Sequence, residues 1–199
     1  MIVVVTGNDG VGKSTFAALL AARLDATVVP EPFHENPFGM DYLRLPEEWA
    51  YQAEVEFLRL RVRAIRSALK ESDNVICDRH FWDDIEVFAE LWRSLGVLED
   101  REVQSLRNLA VDLSSDLMPP RAWIWLRASL PCMVRRIRER GYYPQRLTLE
   151  EITALRETYY ERWMVGRAHL RAVVDTTERD LTGLAHEAER IATLLQDGS

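Results

Sequence analysis

The first fifteen residues read Met-Ile-Val-Val-Val-Thr-Gly-Asn-Asp-Gly-Val-Gly-Lys-Ser-Thr, and Gly7–Ser14 fits G-x-x-x-x-G-K-S. This is a pattern for holding phosphate. Gly7, Gly10 and Gly12 let the backbone turn its N–H groups inward, and Asn8, Asp9 and Val11 complete the loop. Lys13 can reach the outer phosphates of a nucleotide, and Ser14 can supply a hydroxyl to Mg²⁺. Beside Thr15, the helix N-terminus adds partial positive charge at the same point. The apolar, β-branched run Ile2–Val5 before the loop and the helical run Phe16–Leu24 after it give the strand–loop–helix setting the pattern requires.

Two more segments could do chemistry beside a phosphate. Glu31 stands between Pro30 and Pro32, which hold it rigidly at the end of a strand. Near the outer phosphate, a carboxylate there can take a proton from an attacking hydroxyl; a solvated turn is the plainer alternative. Asp78-Arg79-His80 follows the buried-looking strand Val75-Ile76-Cys77. Asp78 suits a Mg²⁺ contact and Arg79 suits charge developing on a transferring phosphoryl group, a surface ion pair being the alternative.

Three weaker patterns follow. Gln52, Glu56 and Arg59 fall at i, i+4 and i+7 on one helix face, and Asp84 and Phe88 at i, i+4 on the next helix. Gln, Arg and Asp can read a base edge and Phe can stack on it, although such spacing also describes a solvated face. Arg135-Arg136-Ile137-Arg138-Glu139-Arg140-Gly141 gathers guanidiniums at a helix end, suited either to multidentate phosphate contacts under a lid hinged at Gly141 or to a basic surface. The polar loop Asp175–Asp180 is a candidate wall for the adenine of ATP.

These residues need a scaffold, and the periodicity supplies one. Five short β-branched or aromatic runs are read as strands: Ile2–Val5, Thr27–Val29, Asn74–Cys77, Ala122–Leu126 and Ala172–Asp175. Helices are expected over Ser14–Leu24, Glu47–Lys70, Asp83–Leu95, Asp100–Leu117, Leu130–Arg140, Leu149–Arg171 and Leu181–Gln196. Thr148-x-x-Glu151 reads as a capping box, and Pro119-Pro120 closes the fourth helix before Ala122. Alternating strands and helices imply an α/β fold, a parallel sheet covered on both faces, with ligands at the carboxyl ends of the strands.

Composition narrows the partners. The 199 residues suit a single domain over 1–199. A net charge of −7 argues against a nucleic-acid polymer. Cys77 and Cys132 read as buried thiols in a reducing compartment, and His34, His80, His169 and His186 have no metal-ligand spacing. No stretch is long and apolar enough to span a bilayer, and no basic region precedes the first apolar run. A cytoplasmic protein without membrane contact is expected.

Together the segments resemble the deoxynucleoside kinases over almost the whole chain. The carriers are the Gly7–Thr15 loop, Glu31-Pro32 with Glu35-Asn36-Pro37-Phe38, and Trp49-Ala-Tyr51-Gln52 leading to Phe57-Leu-x-Arg. Further on come Asp78-Arg79 with Asp84 and Val87-Phe88-Ala89, Trp125-Leu-Arg127-Ala-Ser129, the arginine-rich segment and the Asp175–Asp180 loop. The resemblance implies a P-loop kinase fold with a five-stranded parallel sheet and an Arg-rich lid at approximately residues 136–147. It implies transfer of the γ-phosphoryl of ATP, with Mg²⁺, to the 5′-hydroxyl of a small-molecule deoxynucleoside by a homodimer. Glu31 then matches the general base, Asp78 with Ser14 the Mg²⁺ contacts, and Arg79 and Lys13 the phosphoryl-binding cations. Gln52 matches the base-bonding residue, Arg59 and Asp84 the base-preference pair, Tyr51 and Phe88 the base-slot aromatics, Tyr42 the 3′-hydroxyl contact, and Arg136 and Arg140 lid arginines.

The chain departs from that pattern at His80, where serine is usual, and at Arg140-Gly141-Tyr142-Tyr143-Pro144-Gln145-Arg146, where Arg-Gly-Arg and acids are usual. Asn8-Asp9-Gly10 and Asp78-Arg79-His80 also resemble thymidylate kinase, a related fold acting on nucleoside monophosphates. On that alternative, Arg44 or Arg146 would hold the acceptor's phosphate. A nucleotide-binding subunit without transfer activity is the third reading, and the presence of Glu31, Lys13 and Arg79 argues against it.

Overall fold

In the computed structural model, which describes residues 1–141 and 147–197, five parallel strands form one sheet in the order β2-β3-β1-β4-β5. The strands are β1 (Ile2–Thr6), β2 (Thr27–Val29), β3 (Val75–Asp78), β4 (Ala122–Arg127) and β5 (Leu170–Asp175). The central strand β1 is buried along its whole length, because its Val-rich run meets helices on both faces. Its register pairs Val5 with Asp78 and Thr6 with Trp125, which brings the ends of three strands to the phosphate-binding loop.

The helices are α1 (Lys13–Leu24), α2 (Gly39–Arg44), α3 (Pro46–Glu71), α4 (Phe81–Asp83), a π-helical turn (Asp84–Ala89), α5 (Glu90–Ser94), α6 (Asp100–Leu113), α7 (Leu130–Arg140), α8 (Leu149–Met164) and α9 (Leu181–Asp197). The Thr148–Glu151 capping box forms at the start of α8. Pro46 opens α3 in its first turn, where the missing N–H leaves nothing unpaired.

Three expected helices differ, and one short helix is additional. The helix read as Asp83–Leu95 starts at Phe81 and carries the π-helical turn, a widening that concentrates at functional sites. The helix read to Arg171 stops at Met164: Val165 turns extended and Gly166 takes a φ of 75°, releasing the chain into β5 from Leu170. The helix read to Leu117 ends at Leu113, capped by Ser114, whose backbone N–H returns to Ala110. The short helix α2 was not foreseen; Asn36 creates it, donating to the Ala53 carbonyl (2.9 Å) while its side-chain oxygen accepts from Phe38 N–H (3.0 Å).

Candidate active site

The phosphate-binding loop needs backbone that side chains would spoil. Gly7 has a φ of 137°, and a Cβ there would lie 2.3 Å from the Leu126 carbonyl oxygen, so only glycine lets β4 pass this close. Gly12 caps α1 with a φ of 87°, in the left-handed region. Lys13 is buried, and its ammonium donates to the Asn8 carbonyl (2.9 Å). Burial, and then the nearby Arg79 charge, push its pKa down. From α7, Arg136 reaches the loop, donating to the Gly10 carbonyl (3.1 Å) and the Thr176 carbonyl (3.0 Å). Arg140 lines a hollow of about 300 Å³ with Gly10, Val11, Gly12 and Thr15, and also lines the nucleoside-sized cavity described below.

Ser14 donates its hydroxyl to Asp78 Oδ2 (2.5 Å), while Asp78 Oδ1 is buried without a hydrogen-bond partner among the described residues. One hydroxyl beside one unsatisfied carboxylate oxygen fits Mg²⁺, which commonly takes few protein ligands and completes its shell with water and nucleotide phosphates. Among the described residues no cluster of three or more His, Cys, Asp or Glu could hold a metal, so an all-protein cage does not form.

Beside the loop opens a cavity of about 380 Å³. Two chain segments place its acidic and basic walls. Glu31 follows β2, and Arg79 follows β3 with a φ of 71°, unusual for a residue with a side chain. Arg79 Nη1 donates to Glu31 Oε1, and its Nη2 donates to Asp9 (2.7 Å). Arg61 Nη2 adds a second contact to the same Glu31 oxygen (3.2 Å). Burial alone would raise the Glu31 pKa, but Arg79, Arg61 and Lys13 hold it below the usual carboxylate range. Asp9 is likewise held down, against burial, by Arg79, Arg156 and Lys13. Phe88 lies under two guanidiniums, 4.7 Å from Arg79 and 5.1 Å from Arg156.

His80 has the role of a helix cap. Its Nδ1 accepts from Trp82 N–H (3.3 Å), and its own N–H donates to Asp83 (3.0 Å), the reciprocal box a serine could make. Burial, then the Arg61 and Arg167 charges, push its pKa well below the usual value, which keeps the ring neutral and able to accept.

The expected base-reading face is corrected. Gln52 and Arg59 are exposed, and Arg59 pairs with Glu56 on the outer surface (2.8 Å). Tyr51 bonds Ser105 of α6 (3.0 Å) and lines no part of the cavity. The residues of α3 that do line it are Glu54, Phe57 and Arg61. A two-residue offset is a rotation of about 200° around the helix axis, so the expected set lies on the opposite side. Arg61, not Arg59, pairs with Asp84 (2.8 Å), both side chains nearly wholly buried. Tyr42 lines the cavity as expected, its oxygen accepting from Trp92 Nε1 (2.6 Å). Arg156 of α8, which the sequence did not single out, enters the cavity and donates to Asp9 (2.7 Å). Arg44 is exposed and outside the cavity lining. Tyr142, Tyr143, Pro144, Gln145 and Arg146 of the expected lid lie outside the described residues.

A second cavity, about 560 Å³, lies near the start of β4, where the Arg167 guanidinium stacks between Trp123 (4.1 Å) and Trp163 (4.5 Å); it contains none of the phosphate-loop residues.

With the geometry in place, comparison with known proteins gives one direction. A family model described as deoxynucleoside kinase matches residues 3–197. A deoxyguanosine kinase of Lactobacillus johnsonii is 29% identical over 171 residues, 81% of this chain and 75% of that protein. A deoxyadenosine/deoxycytidine kinase of Bacillus subtilis is 26% identical over 167 residues, 83% and 77% of the two chains. The solved structure of deoxyadenosine kinase from M. mycoides with bound dCTP superimposes with a TM-score of 0.80 at 21% identity, covering all of both chains, and so shares the fold.

Proposed function

The chain belongs to the deoxynucleoside kinase family and phosphorylates the 5′-hydroxyl of a deoxynucleoside, and we propose that it does so with ATP and Mg²⁺, using Glu31 as the base and Arg79 as the phosphoryl-binding cation. The observation that carries this reading is that both arginines approaching Glu31 donate to Oε1. Oε2 is not engaged by either, and it is the atom available to a substrate hydroxyl.

The nucleoside enters the 380 Å³ cavity, with its base against Phe88 and Phe57 and its 5′-end toward Glu31. Glu31 Oε2 takes the hydroxyl proton as the 5′-oxygen attacks the γ-phosphorus and the bond to the β-phosphate oxygen breaks, releasing ADP. Arg79 turns from its ion pairs to the transferring group, while Lys13 and the loop N–H groups hold the donor's phosphates. Mg²⁺, held by Ser14 and Asp78, would neutralise phosphate charge. Arg136 is fixed against the loop by its contacts to Gly10 and Thr176, and Arg140 is placed to cover the phosphates. A homodimer acting on free nucleosides in the cytoplasm, in a salvage role, belongs to the same proposal; sedimentation tests the dimer. No helix among the described residues is long and apolar enough to cross a membrane.

The deciding experiment incubates the protein with ATP–Mg²⁺ and a panel of deoxynucleosides, ribonucleosides and their monophosphates, following ADP release and product mass. Monophosphate formed from a free deoxynucleoside is the expected product. Turnover of monophosphates alone would overturn the reading.

A further inference from the structure

One buried carboxyl in the nucleoside cavity has no part in the phosphate chemistry. Glu54 of α3 is 1% exposed and lines the cavity beside Phe57, Arg61, Asp84 and Phe88. Tyr42 of α2, its oxygen occupied by the Trp92 N–H, hydrogen-bonds the Glu54 carboxyl. Glu54 Oε2 is buried with no hydrogen-bond partner among the described residues. A buried polar atom left open in a ligand cavity is an unfilled hydrogen-bonding position.

The charges around Glu54 decide which hydrogen bond it offers. Asp84 faces it from the π-helical turn, Tyr42 from α2, Arg61 from α3 itself, and Arg79 from the end of β3. Neither guanidinium is bonded to it: Arg61 gives Nε to Asp84 and Nη2 to Glu31, and Arg79 gives its two terminal nitrogens to Glu31 and Asp9. Asp84 therefore has the direct cationic partner and Glu54 does not. Two buried carboxyls beside one arginine that bonds only Asp84 of the two, its Nη1 having no partner among the described residues, cannot both ionise cheaply, so the proton stays on the unpaired one. Burial and the Asp84 charge accordingly push the Glu54 carboxyl well above the usual range.

We propose that Glu54 reads the base as a neutral acid, donating its O–H to a ring nitrogen and accepting from the exocyclic amine beside it. The matching substrates are deoxynucleosides with an amidine edge, of the adenine and cytosine type. The same exocyclic amine has a second N–H for Asp84, whereas a keto oxygen at that position would face the Asp84 carboxylate. When Glu54 ionises, it loses the donor that the ring nitrogen needs, and its two oxygens instead suit the paired N–H donors of guanine. This assignment rests on the nucleoside kinase reading, because it needs a nucleoside in the cavity.

The test measures equilibrium binding of deoxyadenosine, deoxycytidine and deoxyguanosine by calorimetry without ATP, and turnover in parallel. In the wild type, affinity for deoxyadenosine and deoxycytidine is expected to fall as the pH is raised from neutrality, while affinity for deoxyguanosine rises. Glu54→Gln is expected to remove the opposed shifts of the two base types, because an amide keeps one donor and one acceptor throughout, and to leave only the change that Asp84, titrating at about 7, gives on its own. Glu54→Ala should weaken binding of the amidine bases by ~10-fold or more through loss of both contacts. Variants that match the wild type at every pH, or deoxyguanosine bound most tightly at neutrality and lost in Glu54→Gln, would overturn the assignment alone. The expected binding pattern without any turnover would overturn the transfer reaction alone, and absence of deoxynucleoside binding would overturn both.

Discussion

Replacing Glu31 with Gln separates proton acceptance from shape. Arg79 and Arg61 both donate to Oε1, so a glutamine that turns its carbonyl to that position keeps both hydrogen bonds. What it presents in place of Oε2 is an NH₂ group, which cannot take a proton. Removing a positioned general base costs ~10²–10⁴-fold in rate, or about 3–5 kcal/mol of transition-state stabilisation at about 1.4 kcal/mol per decade. Stability should change little by comparison, since Glu31 is 29% exposed, its charge is partly screened by solvent, and the acceptor for the arginines survives. Steady-state kinetics with a saturating deoxynucleoside and ATP–Mg²⁺ read the effect as a fall in kcat, with nucleoside affinity from calorimetry within a few-fold of wild type. A thermal melt confirms that the variant is folded. If kcat stays within threefold of wild type, Glu31 is not the base and the free Oε2 has no chemical meaning.

Three other outcomes follow from the same geometry. Asp84→Ala breaks the nearly wholly buried pair with Arg61 and should cost ~3–5 kcal/mol in urea denaturation, because a buried guanidinium loses its nearer partner and keeps only the 3.2 Å contact to Glu31; a loss below about 1 kcal/mol would refute this. Asp78→Asn should raise the Mg²⁺ concentration for half-maximal rate by ~10-fold or more, and an unchanged titration would place the ion elsewhere. Stability should also depend on pH in two opposed directions. Glu31 and Asp9 have folded values below their unfolded ones, so their contribution is present above about pH 4 and is lost as pH falls through the folded values. Asp84, pushed by burial up to about 7, contributes most below the unfolded value and loses that contribution as pH rises through 7. Calorimetric Tm should therefore peak in mildly acidic solution, and a Tm that keeps rising above neutrality would refute the burial argument.

How much of this was legible depends on how local each feature is. Gly7–Thr15 is contiguous, so its glycines, lysine and hydroxyls declare the phosphate loop directly, and β1 and α1 follow within a few residues. The strand order places Glu31 and Arg79 side by side although 48 residues separate them, and their being at strand ends was the signal that found both. On α3 the right residue types stood at the right i, i+7 spacing twice, as Gln52 with Arg59 and as Glu54 with Arg61. Nothing in the helix alone tells its inner face from its outer one when both carry charge. The buried pattern around Ala53, Phe57 and Leu58 could have tipped the choice toward Glu54 and Arg61.

His80 shows the reverse case: a residue that departs from the family's usual serine, while the structure shows that its side chain caps the helix that follows. Arg156 had no local signal at all, because its meaning comes from Asp9, 147 residues away. The sequence by itself determined the α/β architecture and the phosphate-binding loop, since these depend on short contiguous patterns and hydrophobic period, while the reaction class was what its resemblance to the deoxynucleoside kinases implied. The tertiary structure alone decided which charged face of α3 lines the cavity, and that Glu54 is buried there with neither neighbouring guanidinium bonded to it. Both depend on which distant groups pack against the helix, and burial there sets the protonation state.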